Sequence, residues 1–220
     1  MLYLQTRKQT VCSVCICNLL YMKQLGKELI LKEAYKLFAE KTYEQVTFQD
    51  LEIKTKFTRG GIVHHVKKKE NLFKEVFDKY MLSDTSLLES LEKNKDITLI
   101  EFIEAIINWI KKIKLEMNEL GIENYNWAHV NLTYQAKFYY PDFISKAKQW
   151  EKIEIDIWRT VIANAVEKKE IKNNIDIDLL ALTFHNLYMG YSYSGIVLPD
   201  GVDIQKLEQA LNFLYSLIKT

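Results

Sequence analysis

The chain has 220 residues, 48% hydrophobic and 27% charged, with a formal net charge of +1. These values exclude a disordered polyelectrolyte and a uniformly basic nucleic-acid coat, while leaving room for a local basic patch. With only 7 Gly and 2 Pro it lacks the breakers an all-β protein needs, so long helices are expected, and the length allows one large domain or a small one joined to a larger one.

Cys12, Cys15 and Cys17 are the whole cysteine complement. No disulfide framework can staple the rest of the chain, which fits a reducing cytosol. Three close thiols with no nearby histidine make an incomplete zinc site, and neither metal nor cofactor is expected. Residues 11–22 are apolar and follow Arg7 and Lys8, the outline of a signal peptide. The stretch is too short to span a bilayer and lacks a small-residue cleavage site, so no membrane association is expected. Met22 opens a charged, helix-like run. Residues 1–22 are therefore read as an amino-terminal extension, either disordered or upstream of the true start.

Ile30, Ala34, Leu37 and Phe38 recur at helical spacing and predict a first helix over residues 25–41. After a break, Thr47-Phe48-Gln49-Asp50 has the form of a capping box and opens a short helix ending near Lys54. Thr58 can cap a third helix through Val66. Leu72, Phe73, Val76, Phe77 and Tyr80 stripe a fourth over residues 69–91. A fifth carries Leu99, Phe102, Ile103, Ile106, Ile110 and Ile113 and ends near Gly121. Residues 123–140 read as irregular and aromatic, closed by Pro141. Phe143, Ala147, Trp150, Ile157, Val161 and Ala165 mark a long helix. Asp176 or Asp178 caps another to about Ser194. Pro199-Asp200-Gly201 is a turn, and Ile204, Leu207, Leu211, Leu214 and Ile218 mark the last helix. No segment sustains the alternation of a strand.

Between Lys54 and Lys69 stand six basic residues and no acidic one. A short capped helix, a brief break and a second short helix rich in small and basic residues is the outline of a helix-turn-helix. A helix in the major groove lies beside two phosphate backbones, where acids are repelled and bases release counterions. Thr58 and the N–H groups opening that helix suit a phosphate, and Arg59 can pair in bidentate fashion with phosphate or a guanine edge. Gly60 and Gly61 each cost about 1 kcal/mol against alanine in a helix. Gly60 permits close approach to a neighbour or a sugar-phosphate backbone. Lys67, Lys68 and Lys69 reach the next phosphates. His64 and His65 lie about 100° apart on a helix, so one is expected to face DNA and the other to pack.

Residues 30–72 resemble the DNA-binding domain of the tetracycline-repressor (TetR) family. AYKLFAEKTYEQVTFQDL is similar to that family's first helix, turn and second-helix opening, and FTRGGIVHHVKKKENLF to its third helix and the start of its fourth. The resemblance puts DNA contacts or their supports at Thr47, Thr58, Arg59, Gly60, His64 and Lys69. It implies an all-α protein, with a three-helix head over residues 23–70 and a larger helical effector-binding and dimerisation domain over 71–220. The expected function is that of a ligand-responsive regulator, a repressor rather than an enzyme, binding a near-palindromic double-stranded operator as a homodimer whose recognition helices lie roughly 34 Å apart. Departures from the pattern are Lys56, where the family carries a turn glycine and a distorted turn is expected; Glu52, expected to point outward; Val63, in place of a phosphate-touching tyrosine; and Gly61, in place of a hydroxyl. They leave open a regulator with degenerate DNA binding.

The carboxy-terminal part is rich in aromatics. Trp109, Tyr125, Trp127, Tyr134, Trp150 and Tyr188, with His129 and His185 as polar groups, are candidates to line a pocket for a small apolar or aromatic effector. The bland alternative for each is an ordinary core position. The last two helices, with Ala181, Gly190 and Ala210 among their apolar residues, are expected to form the dimer interface as a four-helix arrangement. No Gly-rich phosphate loop, His-Glu-x-x-His or Gly-x-Ser-x-Gly motif occurs, which leaves a helical enzyme or scaffold as the remaining rival.

Overall fold

The computed structural model describes residues 13–82 and 96–220, with side chains from residue 24 onward. Nine α-helices occur among the described residues. They are α1 (Ser13–Glu40), α2 (Phe48–Thr55), α3 (Arg59–Val66), α4 (Lys69–Met81), α5 (Leu99–Glu119), α6 (Tyr125–Tyr139), α7 (Phe143–Glu167), α8 (Ile177–Ser194) and α9 (Ile204–Ile218). The β pairing in the described chain is a single bridge between Ile171 and Lys219.

Several boundaries follow their sequence signals. Thr47 accepts from Asp50 N while the Asp50 carboxylate takes the Thr47 N–H at 2.8 Å, a complete capping box. Thr58 caps α3 by accepting from Gly61 N, and Asp176, not Asp178, caps α8. Others differ. α1 starts at Ser13, well before residue 25, so the backbone of residues 13–22 of the expected extension is helical, whereas residues 1–12 of that extension lie outside the described residues. The expected end of α4 near residue 91 also lies outside them.

Residues 123–140 are not irregular: α6 is a regular helix of 15 residues. Asn124 caps it through Trp127 N, and no Gly or Pro interrupts it before Pro141. Its stripe is hard to read because two inward positions are polar. Asn126 and Gln135 are buried beside Ala128, Leu132 and Ala136, each holding backbone groups of other segments.

Two apolar cores result. The first joins α1, α2, α3 and α4 to the inner face of α6, with Phe38 and Phe73 meeting edge-on at 5.0 Å. The second joins α5, α7, α8 and α9, where Trp158 lies between Phe102 and Phe184, each 4.8 Å away. Truncating such a fully buried phenylalanine costs about 3–5 kcal/mol. The expected division at residue 70 falls at the start of α4, whose apolar face packs with the head. α6 is thus the element of the body built into the head's core.

Candidate functional site

α2 and α3 are joined by a tight turn at Lys56-Phe57-Thr58. Lys56 adopts φ 61, the left-handed conformation that glycine usually supplies, and its N–H closes onto Glu52 O at 2.9 Å. The turn expected to be distorted is therefore an ordinary αL helix cap, bearing the modest strain of a side chain there. Thr55 reinforces it, donating its hydroxyl to Leu51 O at 2.7 Å.

Ile62 and Val66 bury the inner face of α3 against the head's core, so its outer face is presented to solvent. Thr47, Thr58, Arg59, Gly60, His64 and Lys67 are exposed, and Gly61 is half-buried. A Cβ on Gly60 would meet nothing within 4 Å. No neighbour among the described residues requires this glycine. Of the two histidines, His64 faces solvent, while His65 packs against Gly26 of α1, where a Cβ would come within 3.3 Å of His65 Nε2. Sequence reasoning gave Gly26 no role, and only this helix crossing reveals one.

Glu52 does more than point outward. Its carboxylate accepts the Arg59 N–H at 2.5 Å, while Thr58 Oγ1 accepts from Gly61 N. Two of the α3 N–H groups expected to receive a phosphate are therefore held by the protein itself, one of them by a negative charge.

Lys69 does not stand beside the other basic residues as an open cation. Its ammonium lies 4.4 Å over the Tyr43 ring and 3.4 Å from Glu44 O. Burial pulls its pKa below the ordinary lysine value, with Glu44 opposing. The other face of Tyr43 stacks on Tyr139 of α6 at 3.9 Å, and Tyr139 donates its hydroxyl to Glu44. One turn earlier, Gln135 donates to Phe38 O (3.0 Å) and Lys41 O (3.2 Å), and Asn131 to Phe38 O (3.2 Å) and Ala39 O (3.0 Å). α6 thereby satisfies the orphan carbonyls that every helix leaves at its carboxy end, here those of α1. At its own start, Asn124 reaches Gly195, Ile196 and Leu198 carbonyls, and Asn126 accepts from Val202 N at 2.7 Å. A side chain at Gly195 would overlap Val202 N at 2.5 Å. One helix grips both the α8–α9 connection and the head.

The other half of α6 faces α7 and α8. Tyr125 and His129 come from α6, Glu151 and Glu154 from α7, and His185, Tyr188 and Ser192 from α8. His185 Nε2 lies 3.0 Å from Glu154 Oε2. That hydrogen bond raises the His185 pKa above the ordinary imidazole value, with burial opposing it. His129 is exposed, and desolvation pulls its pKa down, with Glu154 opposing. Burial pushes the Tyr125 hydroxyl up to about 12, and that of Tyr188 well above its ordinary value. Tyr125 Oη, His185 Nδ1 and Ser192 Oγ are buried without a hydrogen-bond partner among the described residues. Buried polar atoms left in this way carry a desolvation cost unless something outside the chain meets them.

Residues 30–76 match the family model described as bacterial regulatory proteins, tetR family. The chain is 22% identical over 195 residues to the HTH-type transcriptional repressor AcnR of Corynebacterium efficiens, covering 88% of this chain and 93% of that one. The match to the tetR family thus covers the head, residues 30–76. Its whole fold agrees with solved structures: a TetR-family regulator from Agrobacterium tumefaciens (TM-score 0.67, 15% identity, covering 90% of this chain and 100% of that one) and a transcriptional regulator from Saccharomonospora viridis in complex with choline (TM-score 0.68, 16% identity, 90% and 99%).

The structure gathers only some of the residues expected to line a pocket. Tyr125, His129, His185 and Tyr188 stand on α6 and α8 where these helices meet α7. Trp109 packs on the second core, Trp150 is half-buried on α7, and Trp127 and Tyr134 are exposed on the outer side of α6. The alternation around α6 separates the last two from Tyr125 and His129. Glu151 and Glu154 are exposed on α7, and the approach of α8 brings His185 to Glu154. On α8, Leu179, Leu182, Met189 and Tyr193 form an exposed stripe, joined by Phe213 and Leu217 of α9. Ala181 is not part of it: it is fully buried in the second core.

Proposed function

We propose that this tetR-family protein is a ligand-responsive transcriptional regulator, a repressor that reads duplex DNA with α3 and senses a small molecule where α6, α7 and α8 meet. The observation that carries the reading is the solvent face of α2 and α3. Thr47, Thr58, Arg59, Gly60, His64 and Lys67 stand exposed on the head, with a glycine whose missing side chain no described residue requires. Arg59 and Lys67 would carry phosphate or guanine contacts, Thr47 and Thr58 phosphate contacts, and Gly61 and His64 the middle of the groove. Lys69 supports the head through Tyr43 and reaches DNA only by leaving that ring.

Two copies would join through the apolar stripe of α8 and the outer face of α9, an isologous pairing about a two-fold axis. A ligand regulates such a dimer only if it binds its DNA-competent and incompetent states with different affinity. α6 joins that site to the head, so a ligand that moves it shifts the Phe38–Lys41 carbonyls it holds. The relatives named AcnR are repressors, which favours repression over activation.

A salt titration of binding to duplex DNA, paired with footprinting on the DNA flanking the gene, tests the reading. The expected result is a steep linear fall of log K with log salt and protection of one inverted repeat. Weak binding with no preferred sequence would support the degenerate alternative, and no binding at all would end the proposal.

A further inference from the structure

Lys67, Lys68 and Lys69 leave the recognition helix together, but they do not end in the same surroundings. Lys67 and Lys68 are exposed, whereas Lys69, the first residue of α4, is half-buried. Its ammonium rests on a seat with two parts: the face of Tyr43, 4.4 Å from the ring centroid, and the Glu44 carbonyl at 3.4 Å. A cation held there meets a ring and a carbonyl and neutralises no phosphate.

The head does not make this seat alone. Within the head the Tyr43 ring meets Phe73 edge-on at 5.5 Å and lies nearly parallel to Phe38 at 5.9 Å. Its face away from Lys69 is covered by Tyr139 of α6, with centroids 3.9 Å and planes 13° apart. Tyr139 also donates its hydroxyl to the Glu44 carboxylate. Ring and carbonyl both belong to the Tyr43–Glu44 pair, and one α6 side chain grips both residues. Lys69 hangs from them by a flexible four-carbon stem. A single cation–π contact is weak enough to be exchanged for a phosphate once the ring is displaced.

We propose that Tyr139 is a positioning residue for DNA binding: through Tyr43 and Glu44 it keeps the Lys69 ammonium off the phosphates, and the placing of α6 thereby sets whether each head makes one phosphate contact more or fewer. This rests on the DNA-binding reading above and adds a route by which the body regulates the head. Unlike a change in the spacing of two heads, it alters the number of counterions released on binding.

The test is a salt titration of the full-length protein, by fluorescence anisotropy, against a labelled duplex taken from the DNA flanking the gene. Wild type, Tyr139→Leu, Lys69→Gln and the double variant are compared as log K against log salt. Tyr139→Leu is expected to steepen the slope by about 0.9 for each bound head, the share of one phosphate. The double variant should show no steepening over Lys69→Gln alone. A stack that only stabilises the head would change melting and leave the slope where it was. If circular dichroism shows that Tyr139→Leu does not fold, Tyr139→Phe replaces it. That variant keeps the ring and frees Glu44, and a smaller steepening is expected, again absent without Lys69. An unchanged slope in the folded variant, or a steepening that persists without Lys69, overturns the assignment and leaves the regulator reading standing. Absence of duplex binding by the wild type overturns both.

Discussion

The Gln135 side-chain amide donates to the main-chain carbonyl of Phe38, 97 residues earlier, across the junction between body and head. Both ends are buried. Phe38 is the central aromatic of the head, and Gln135 has 3% of its surface exposed. Removing the donor leaves carbonyls of α1 without a partner, a penalty of about 1–3 kcal/mol for each one that water cannot reach. Gln135→Leu is therefore expected to lower stability in a urea melt by about that amount, and Gln135→Leu with Asn131→Leu by more. The double variant should also weaken DNA binding, since the head loses its fixed attachment to α6. Unchanged midpoint and affinity would show that the clamp is incidental.

Much of this architecture was legible beforehand. α2 and α3 declare themselves through Thr47, Asp50 and Thr58, because a cap is a local event that sequence spacing encodes. The apolar stripes of α5 and α9 are equally plain. α6 was not legible, because Asn126 and Gln135 occupy positions where periodicity expects hydrocarbon; they are buried only because backbone groups 76 and 97 residues away in sequence meet them. The site divides in the same way. Thr58, Arg59, Gly60 and His64 are neighbours in sequence and fell into place together. Glu52 and Glu154 acquire their roles from partners on other helices, and aromatic character alone could not separate Tyr125, facing inward, from Trp127, facing out.

Glu52 places a carboxylate at the amino end of the recognition helix, 2.5 Å from Arg59 N. A helix amino terminus favours an anion, and Glu52 holds the place a phosphate would take. Glu52→Gln keeps an acceptor for Arg59 N and removes the charge. Affinity for duplex DNA, followed by fluorescence anisotropy, should rise several-fold at low salt, with the gain shrinking as salt screens it. Weaker binding by a folded variant would assign Glu52 to recognition itself.

Arg59 and Lys69 are expected to separate experimentally. Arg59 is exposed, its guanidinium 5.9 Å from the Phe48 ring. Arg59→Ala should weaken DNA binding and reduce the salt slope by about 0.9, the share of one phosphate, with the melting midpoint nearly unchanged. Lys69 is seated on Tyr43, so Lys69→Ala should lower stability by about 0.5–2 kcal/mol through the lost cation–π contact. Comparing melts with salt slopes distinguishes the two; identical behaviour of both variants would contradict the packing of Lys69.

The His185–Glu154 pair makes α7–α8 packing pH-dependent. The His185 pKa is raised in the folded state by its hydrogen bond to Glu154. A raised histidine contributes stability that is complete below its unfolded value of about 6.5 and is lost as pH rises through the folded value. The melting midpoint should therefore decline from mildly acidic toward mildly alkaline pH, and His185→Gln should flatten that decline. At the acid end, Asp50, held at about 2 by Thr47 and Lys41, contributes stability that is complete above the ordinary carboxylate range and lost as pH falls through that value. A decline identical in wild type and His185→Gln would remove His185 from the account.

Gly60 separates folding from function most sharply. In the first turn of α3 an alanine Cβ would meet nothing within 4 Å among the described residues, which give no steric reason for glycine there. Helix propensity alone favours Gly60→Ala by up to about 1 kcal/mol. If α3 enters a DNA groove with this face against the sugar-phosphate wall, the added methyl has no room, and the variant should be more stable yet bind DNA at least about tenfold more weakly. A thermal melt and an anisotropy titration on one preparation read both quantities. A gain in stability with undiminished affinity would mean that Gly60 does not face the groove wall, and that the orientation assigned to α3 is wrong.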